Sequence, residues 1–149
     1  MAIVLLAQSV GHSQPSSTQV EIYSVALIEA ATAMHEQWQR YGVSHEFVVD
    51  LDGSPPASYP QAARGNIFKT MGYADLRKAA SKAKDGIWVL RATPATVNGP
   101  LIQISVMRER VTVTRGGTRR GISEWAVVSF RLDDEGKNFR FNSVELGGI

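Results

Sequence analysis

Apolar side chains recur at spacings of three and four between residues 20 and 41. Val20, Tyr23, Leu27, Ala31, Met34, Trp38 and Tyr41 therefore share one face of a predicted helix. Thr18 and Glu21 stand at capping-box spacing at its start, and Gly42 offers a stop. Before it, "GHSQPSS" reads as a loop, which leaves residues 1–16 as an arm or loop. A weak alternation over 45–50 predicts a short strand. "DGSPPASYP" follows, where Gly and Pro forbid regular structure. From Pro60 to Lys84 the pattern predicts a second helical region, broken near Gly72, that buries Ile67, Phe68, Met71, Leu76, Ala80 and Ala83. "KDG" ends it.

After Gly86 the period changes to two. "IWVLRA", "LIQISVM", "RVTVTR", "ISEWAVVSFRL" and "NFRFNSVEL" read as strands, joined by "TPATVNGP", "GGTR" and "DDEGK". Short connections make consecutive strands antiparallel neighbours. The expected fold class is α+β: N-terminal helices packed on a strongly curved antiparallel meander. Curvature is inferred from two slips of phase. Ile102, Ile104 and Val106 are even, whereas Met107, Val111 and Val113 are odd; Phe139 and Phe141 are odd, whereas Val144 and Leu146 are even. Each slip predicts a bulge or bend. "WAVVSF" is apolar on both sides, with Ile122, Ala126, Val128 and Phe130 on one and Trp125 and Val127 on the other. Such a strand is central, and its second face must be covered by a helix, by the other end of the curved sheet or by a second subunit; a homodimer paired through the sheet face is expected unless residues 1–15 cover it.

At 149 residues, without repeats or a linker, the chain reads as a single domain, large enough to bury about two-thirds of its unfolded surface. The absence of cysteine excludes thiol chemistry and thiolate-held zinc. Residues 1–52 carry six acidic groups against Arg40 alone, a net of −5, so the remainder carries +7 of the overall +2. That basic bias lies between Arg64 and Arg131 and suits an anionic ligand or acidic partner. "AIVLLA" is too short to span a bilayer, and no Lys or Arg precedes Arg40 as a secretory n-region requires. A cytoplasmic protein is expected, with export to the periplasm as the alternative.

"EFVVDLDGSPP" resembles the Asp-x-Asp-Gly nucleophile motif of haloacid-dehalogenase-type phosphatases, but that chemistry needs a parallel, helix-flanked sheet after the motif. Antiparallel hairpins follow here, so Asp52-Gly53 reads as a turn in which Asp supplies a hydrogen bond and Gly a positive φ. His12, His35 and His45 lack metal-ligand spacing, and no metal or other cofactor is expected. His35 falls one position after the core face. "TRGGTRRG", with Arg115, Arg119 and Arg120, is the most basic patch; without interleaved aromatics it offers no stacking platform for nucleic acid and reads as a solvated hairpin tip.

The long helix, "DLDGSPP", "RERVTV", "WAVVSFRLDDEGK" and "FRFNSVEL" together resemble the order of elements in the nuclear-transport-factor-2-like superfamily, nearest to its polyketide-cyclase and limonene-epoxide-hydrolase branch. The resemblance spans residues 18–146 and implies a cone around an apolar pocket, often in a homodimer. Similar cones also serve as periplasmic assembly modules in type IV secretion. By the branch's spacing Arg110 falls on its arginine, but Thr112 stands where a carboxylate is needed and no Asp lies near Arg140, Asn142 and Ser143. Epoxide hydrolysis is therefore not carried over.

Two functional expectations follow. The first is a non-catalytic domain that binds an apolar or amphipathic small molecule or a protein partner, with Met34, Trp38, Trp88, Phe130 and Phe141 lining the pocket. The second is a cofactor-independent isomerase, cyclase or lyase with Asp50 as general base and Arg110 or Tyr23 stabilising developing charge. An inward Arg110 is expected to pair with Asp50, since a lone buried charge is costly.

Overall fold

The computed structural model describes residues 17–39, 44–55, 59–133 and 138–148. Its elements are α1 (Ser17–Trp38), β1 (Glu46–Asp50), β2 (Ala62–Ala63), β3 (Asn66–Met71), α2 (Tyr73–Lys82), β4 (Ile87–Ala92), β5 (Thr96–Asn98), β6 (Leu101–Thr114), β7 (Gly117–Leu132) and β8 (Phe139–Gly148). All strands join one curved sheet in the order β2-β3-β1-β4-β6-β7-β8, with β5 beside β6. The α+β class and the antiparallel run β4-β6-β7-β8 are as expected. The sheet is larger than expected and mixed, because β1 runs parallel to both β3 and β4. No described helix is long and apolar enough to cross a membrane.

One departure lies in residues 62–71, expected as helix and found as a hairpin. Arg64 and Gly65 both adopt positive φ, 50° and 77°, the geometry of a two-residue turn matched to strand twist. Asn66 and Phe68 are consequently buried, and Ile67 faces outward, 51% exposed. The expected core role of Ile67 is therefore corrected. β5 likewise forms within the expected loop 93–100, closed by the positive φ of Gly99.

Each face of the sheet carries a helix. α1 lays Tyr23, Leu27, Ala31 and Met34, as its periodicity predicts, with Ile22, Ala26 and Ala30, on Val49, Leu90, Ile104, Val106, Ala126, Val128 and Phe130. α2 lays Leu76 and Ala80 on Val89 and Val111 of the opposite face. Strand β6 is long enough to serve both helices in turn, so its buried positions change from even to odd without any break in its pairing with β4. The slip in β6 thus has a different cause from the expected bulge within it. The register shift opposite Arg108 and Glu109 places the extra residue, Ser123, in β7. β8 does carry a bulge, at Asn142. Beyond Ser123, Ile122 pairs with Glu109 on the α2 face, not on the Ala126 face where the period placed it.

Trp125 and Val127 lie half-buried on the α2 side of the sheet. The indole of Trp125 rests across Gly147, its cross-strand neighbour, where an added Cβ would fall 2.4 Å from the ring. Part of the surface expected to need a partner is therefore covered within the chain.

Near the N-terminal half of α1, the Ala95 N–H donates to Tyr23 Oη at 2.9 Å, and Tyr59 Oη donates to the Pro55 carbonyl at 2.8 Å. Burial raises the Tyr23 phenol above its ordinary 10.0, partly opposed by the Ala95 hydrogen bond. Burial raises Tyr59 further, with a hydrogen bond to Ser54 opposing and Tyr23 adding to the shift. The folded state thus holds these protons more tightly than the unfolded chain. Their contribution is complete below about pH 10 and is lost as pH rises through the folded values. Urea midpoints should fall more steeply above pH 10 in the native chain than in Tyr59→Phe. Identical alkaline slopes would remove Tyr59 from the account.

Candidate binding cleft and a buried ionic network

"DLDGS" forms a junction between three elements. The Gly53 N–H donates to Asp50 Oδ1 at 3.0 Å, the Tyr73 N–H at the start of α2 donates to Asp52 Oδ2 at 2.5 Å, and the Ala92 N–H donates to Ser54 Oγ at 3.1 Å. Asp52 thus caps a helix whose own N-cap, Gly72, has no side chain to do so. The turn chemistry is as expected for Asp, but Gly53 is not among the residues with positive φ. It is required by space: a Cβ there would fall 2.5 Å from Asp50 Oδ2 and 2.7 Å from Arg91 Cδ.

Asp50 closes β1 on the α2 face and is fully buried. Arg120 Nη1 donates to its Oδ2 at 2.5 Å and to Glu109 Oε2 at 3.1 Å; Arg91 Nε and Nη2 donate to Glu109 Oε1 at 2.9 and 2.6 Å. Two carboxylates and two guanidiniums form a chain whose charges cancel. Ion pairing and hydrogen bonds to both carboxylates hold the Arg120 pKa above its ordinary value, although burial of the guanidinium acts in the opposite direction and is the largest single effect. The expected Asp50–Arg110 pair does not form. Arg110 lies on the α1 side of β6, where Nε donates to the Asp85 carbonyl at 2.5 Å and Nη2 stands 3.6 Å from the Asp85 carboxylate. Arg120, expected at a solvated tip with Arg115 and Arg119, instead reaches the network; Arg115 and Arg119 are exposed. Asp50, Arg110 and Tyr23 therefore share no site: Asp50 is on the other side of the sheet, and Tyr23 is sealed in the core beside Ala95.

Strands β1 and β4 pair only at Val48–Val89 and Val49–Leu90. Their leading ends diverge and open a cleft of about 250 Å³ with Phe47, Val48, Val89 and Leu90 among its walls and Trp88, Glu46 and Arg108 among its polar or aromatic margins. Trp88 is 41% exposed. The Arg108 guanidinium carbon lies 4.3 Å from the Trp88 ring centroid and that of Arg110 lies 5.9 Å from it, within cation–π range. Arg108 is held by Glu124 at 2.7 Å, and both are largely buried. Arg110, by contrast, is 43% exposed and loosely paired with an exposed carboxylate.

Of the residues expected to line a pocket, only Trp88 borders this cleft. Met34 and Phe130 are consumed by the core. Trp38 packs against that core, and Phe141 lies at the sheet edge, 44% exposed, its ring edge-on to Phe130 at 6.4 Å. His35 and His45 stack at 3.5 Å between ring centroids, and His45 Nδ1 meets Asn66 Oδ1 at 3.2 Å, tying the end of α1 to the β2–β3 hairpin. Among the described residues no group of three or more His, Asp or Glu could hold a metal. His12 and the side chain of Thr18 lie outside the described residues.

The chain matches no family model, and no curated protein or solved structure is significantly similar to it.

Proposed function

We propose that this is a non-catalytic binding domain whose cleft between the leading ends of β1 and β4 takes an amphipathic ligand with an apolar or aromatic body and an anionic group. The observation that carries this reading is Trp88: a large aromatic side chain left 41% exposed at the margin of an apolar cleft, with two guanidiniums against its ring. Apolar walls supply affinity by excluding water from the ligand body. Arg110 supplies orientation, because its weak pair with Asp85 is easily exchanged for a ligand carboxylate. Arg108 holds the indole in place while its own charge is met by Glu124.

The test is an amide and indole NMR titration with straight-chain alkanoates of six to twelve carbons and with 1-naphthoate. The Trp88 indole N–H and the amides of Phe47 and Leu90 should shift together and saturate. Trp88→Ala should weaken binding at least about tenfold, and Arg110→Gln should weaken it severalfold and reduce its salt dependence. Shifts confined to other surfaces, or an affinity indifferent to both substitutions, would end this reading.

A further inference from the structure

Strand β8 ends the sheet, and among the described residues no strand lies along its outer edge. Natural sheets protect such edges with charge and bulges, and β8 has Arg140, Glu145 and a bulge at Asn142. The register of those features is what matters. By their pairing with β7, Phe139, Phe141, Val144 and Leu146 all point to the α1 face, and Arg140, Ser143 and Glu145 all point to the other. The bulge brings this about: without it, Phe141 and Val144 would face opposite ways.

A strand so ordered is complementary to itself. Lay a second β8 antiparallel beside it, with a two-fold axis at Ser143. With Asn142 of each copy left out of the pairing as the bulged residue, Arg140 falls opposite Glu145 of the second copy, Glu145 opposite its Arg140, Phe141 opposite Val144 and Phe139 opposite Leu146. Like meets like on the apolar face, and opposite charges meet on the polar face. Among the described residues these charges have no ion-pair partner. Arg140 sits directly across from Arg131, a repulsive pair, and no ion pair among the described residues involves Arg131 either.

We infer that β8 is an interaction surface for a second copy of this chain, and that two sheets join edge to edge through reciprocal Arg140–Glu145 pairs. This goes beyond the cleft reading and is independent of it, since the cleft lies between β1 and β4.

Charge reversal provides the test. An edge-only interface is small, so dimerisation is expected with a dissociation constant of about 10–100 µM, read by sedimentation velocity across a concentration series. Arg140→Glu and Glu145→Arg should each place like charges opposite one another twice per dimer and weaken it at least about tenfold. Neither substitution endangers the fold, because both side chains are exposed and Arg140→Glu relieves the repulsion with Arg131. Mixing the two single variants should then yield a heterodimer, and the double variant R140E/E145R should dimerise like the native chain. A chain monomeric throughout the series overturns the inference. So does a dimer insensitive to both reversals but lost in Val127→Glu, which would place the contact on the sheet face, and so does failure of the two variants to associate when mixed.

Discussion

Arg120→Met is expected to lower the stability of the fold by about 4 kcal/mol, more than any other single charge removal in this chain. The substitution strands two carboxylates at once. Asp50 is fully buried and Glu109 is 2% exposed, and Arg120 Nη1 alone bridges them. Arg91 still meets Glu109, and the Gly53 N–H still meets Asp50, but Asp50 is left without a cation. Asp50→Ala should cost less, about 2 kcal/mol, because Arg120 keeps Glu109 and its side chain is 30% exposed to water. The double variant should lose markedly less than the two costs combined, since each removes the other's unpaired charge. Arg110→Met, an equal change of charge on the other face, should stay within about 0.5 kcal/mol. Urea denaturation followed by circular dichroism measures all four. Additive effects of Asp50→Ala and Arg120→Met would show that the bridge contributes nothing as a unit.

That network also shows where a sequence stops being readable. Counting by two from Ala126, Val128 and Phe130 assigns Arg120 to the α1 face, whereas the extra residue at Ser123 carries it to the face of Glu109 and Asp50. Nothing in "RGISEWAVV" marks Ser123 as the inserted position. Arg110 is the reverse case: its even phase places it on the α1 face with Ile104 and Val106, but its partner is Asp85 on that side and not Asp50 across the sheet. Glu109 stood among Met107, Val111 and Val113 and could have been singled out as a charge at a buried phase, had the change of phase in β6 been attributed to a second covering helix. By contrast, α1 was legible from Tyr23 to Met34 because a single face of a long helix meets a single core, and periodicity needs no knowledge of the partner. The β2–β3 hairpin was missed because "AARGNIFKTM" permits helical spacing, and the decisive signal was the dipeptide Arg64-Gly65, a weaker form of the turn signature carried by Asn-Gly. Of the candidate site, Trp88 was named from sequence, but the cleft itself arises from the divergence of β1 and β4, a property of pairing that no local pattern encodes.

Gly53→Ala is the second substitution expected to be severe, with a loss of about 3 kcal/mol. Helix propensity and backbone freedom are not the cause, because Gly53 has no positive φ to defend. The cause is that the turn after β1 presses its backbone against the ionic network. A methyl group at Gly53 would sit 2.5 Å from Asp50 Oδ2, the oxygen that receives Arg120, and 2.7 Å from Arg91 Cδ. Both neighbours are already committed, Asp50 to Arg120 and Arg91 to Glu109. Relief therefore requires either breaking a buried ion pair or lifting the turn, and lifting the turn releases the Asp52 cap on α2 and the Ser54 contact to Ala92. The two routes can be told apart. In an Asp50→Ala background the crowded carboxylate is gone, so Gly53→Ala should cost about 1 kcal/mol if that contact dominates. If the cost stays near its original value in that background, the clash is with Arg91, and shortening that side chain by Arg91→Ala should remove it. A Gly53→Ala chain as stable as the native one would mean that the turn yields freely, and that the packing of "DLDGS" against the network does not hold β1 to β7.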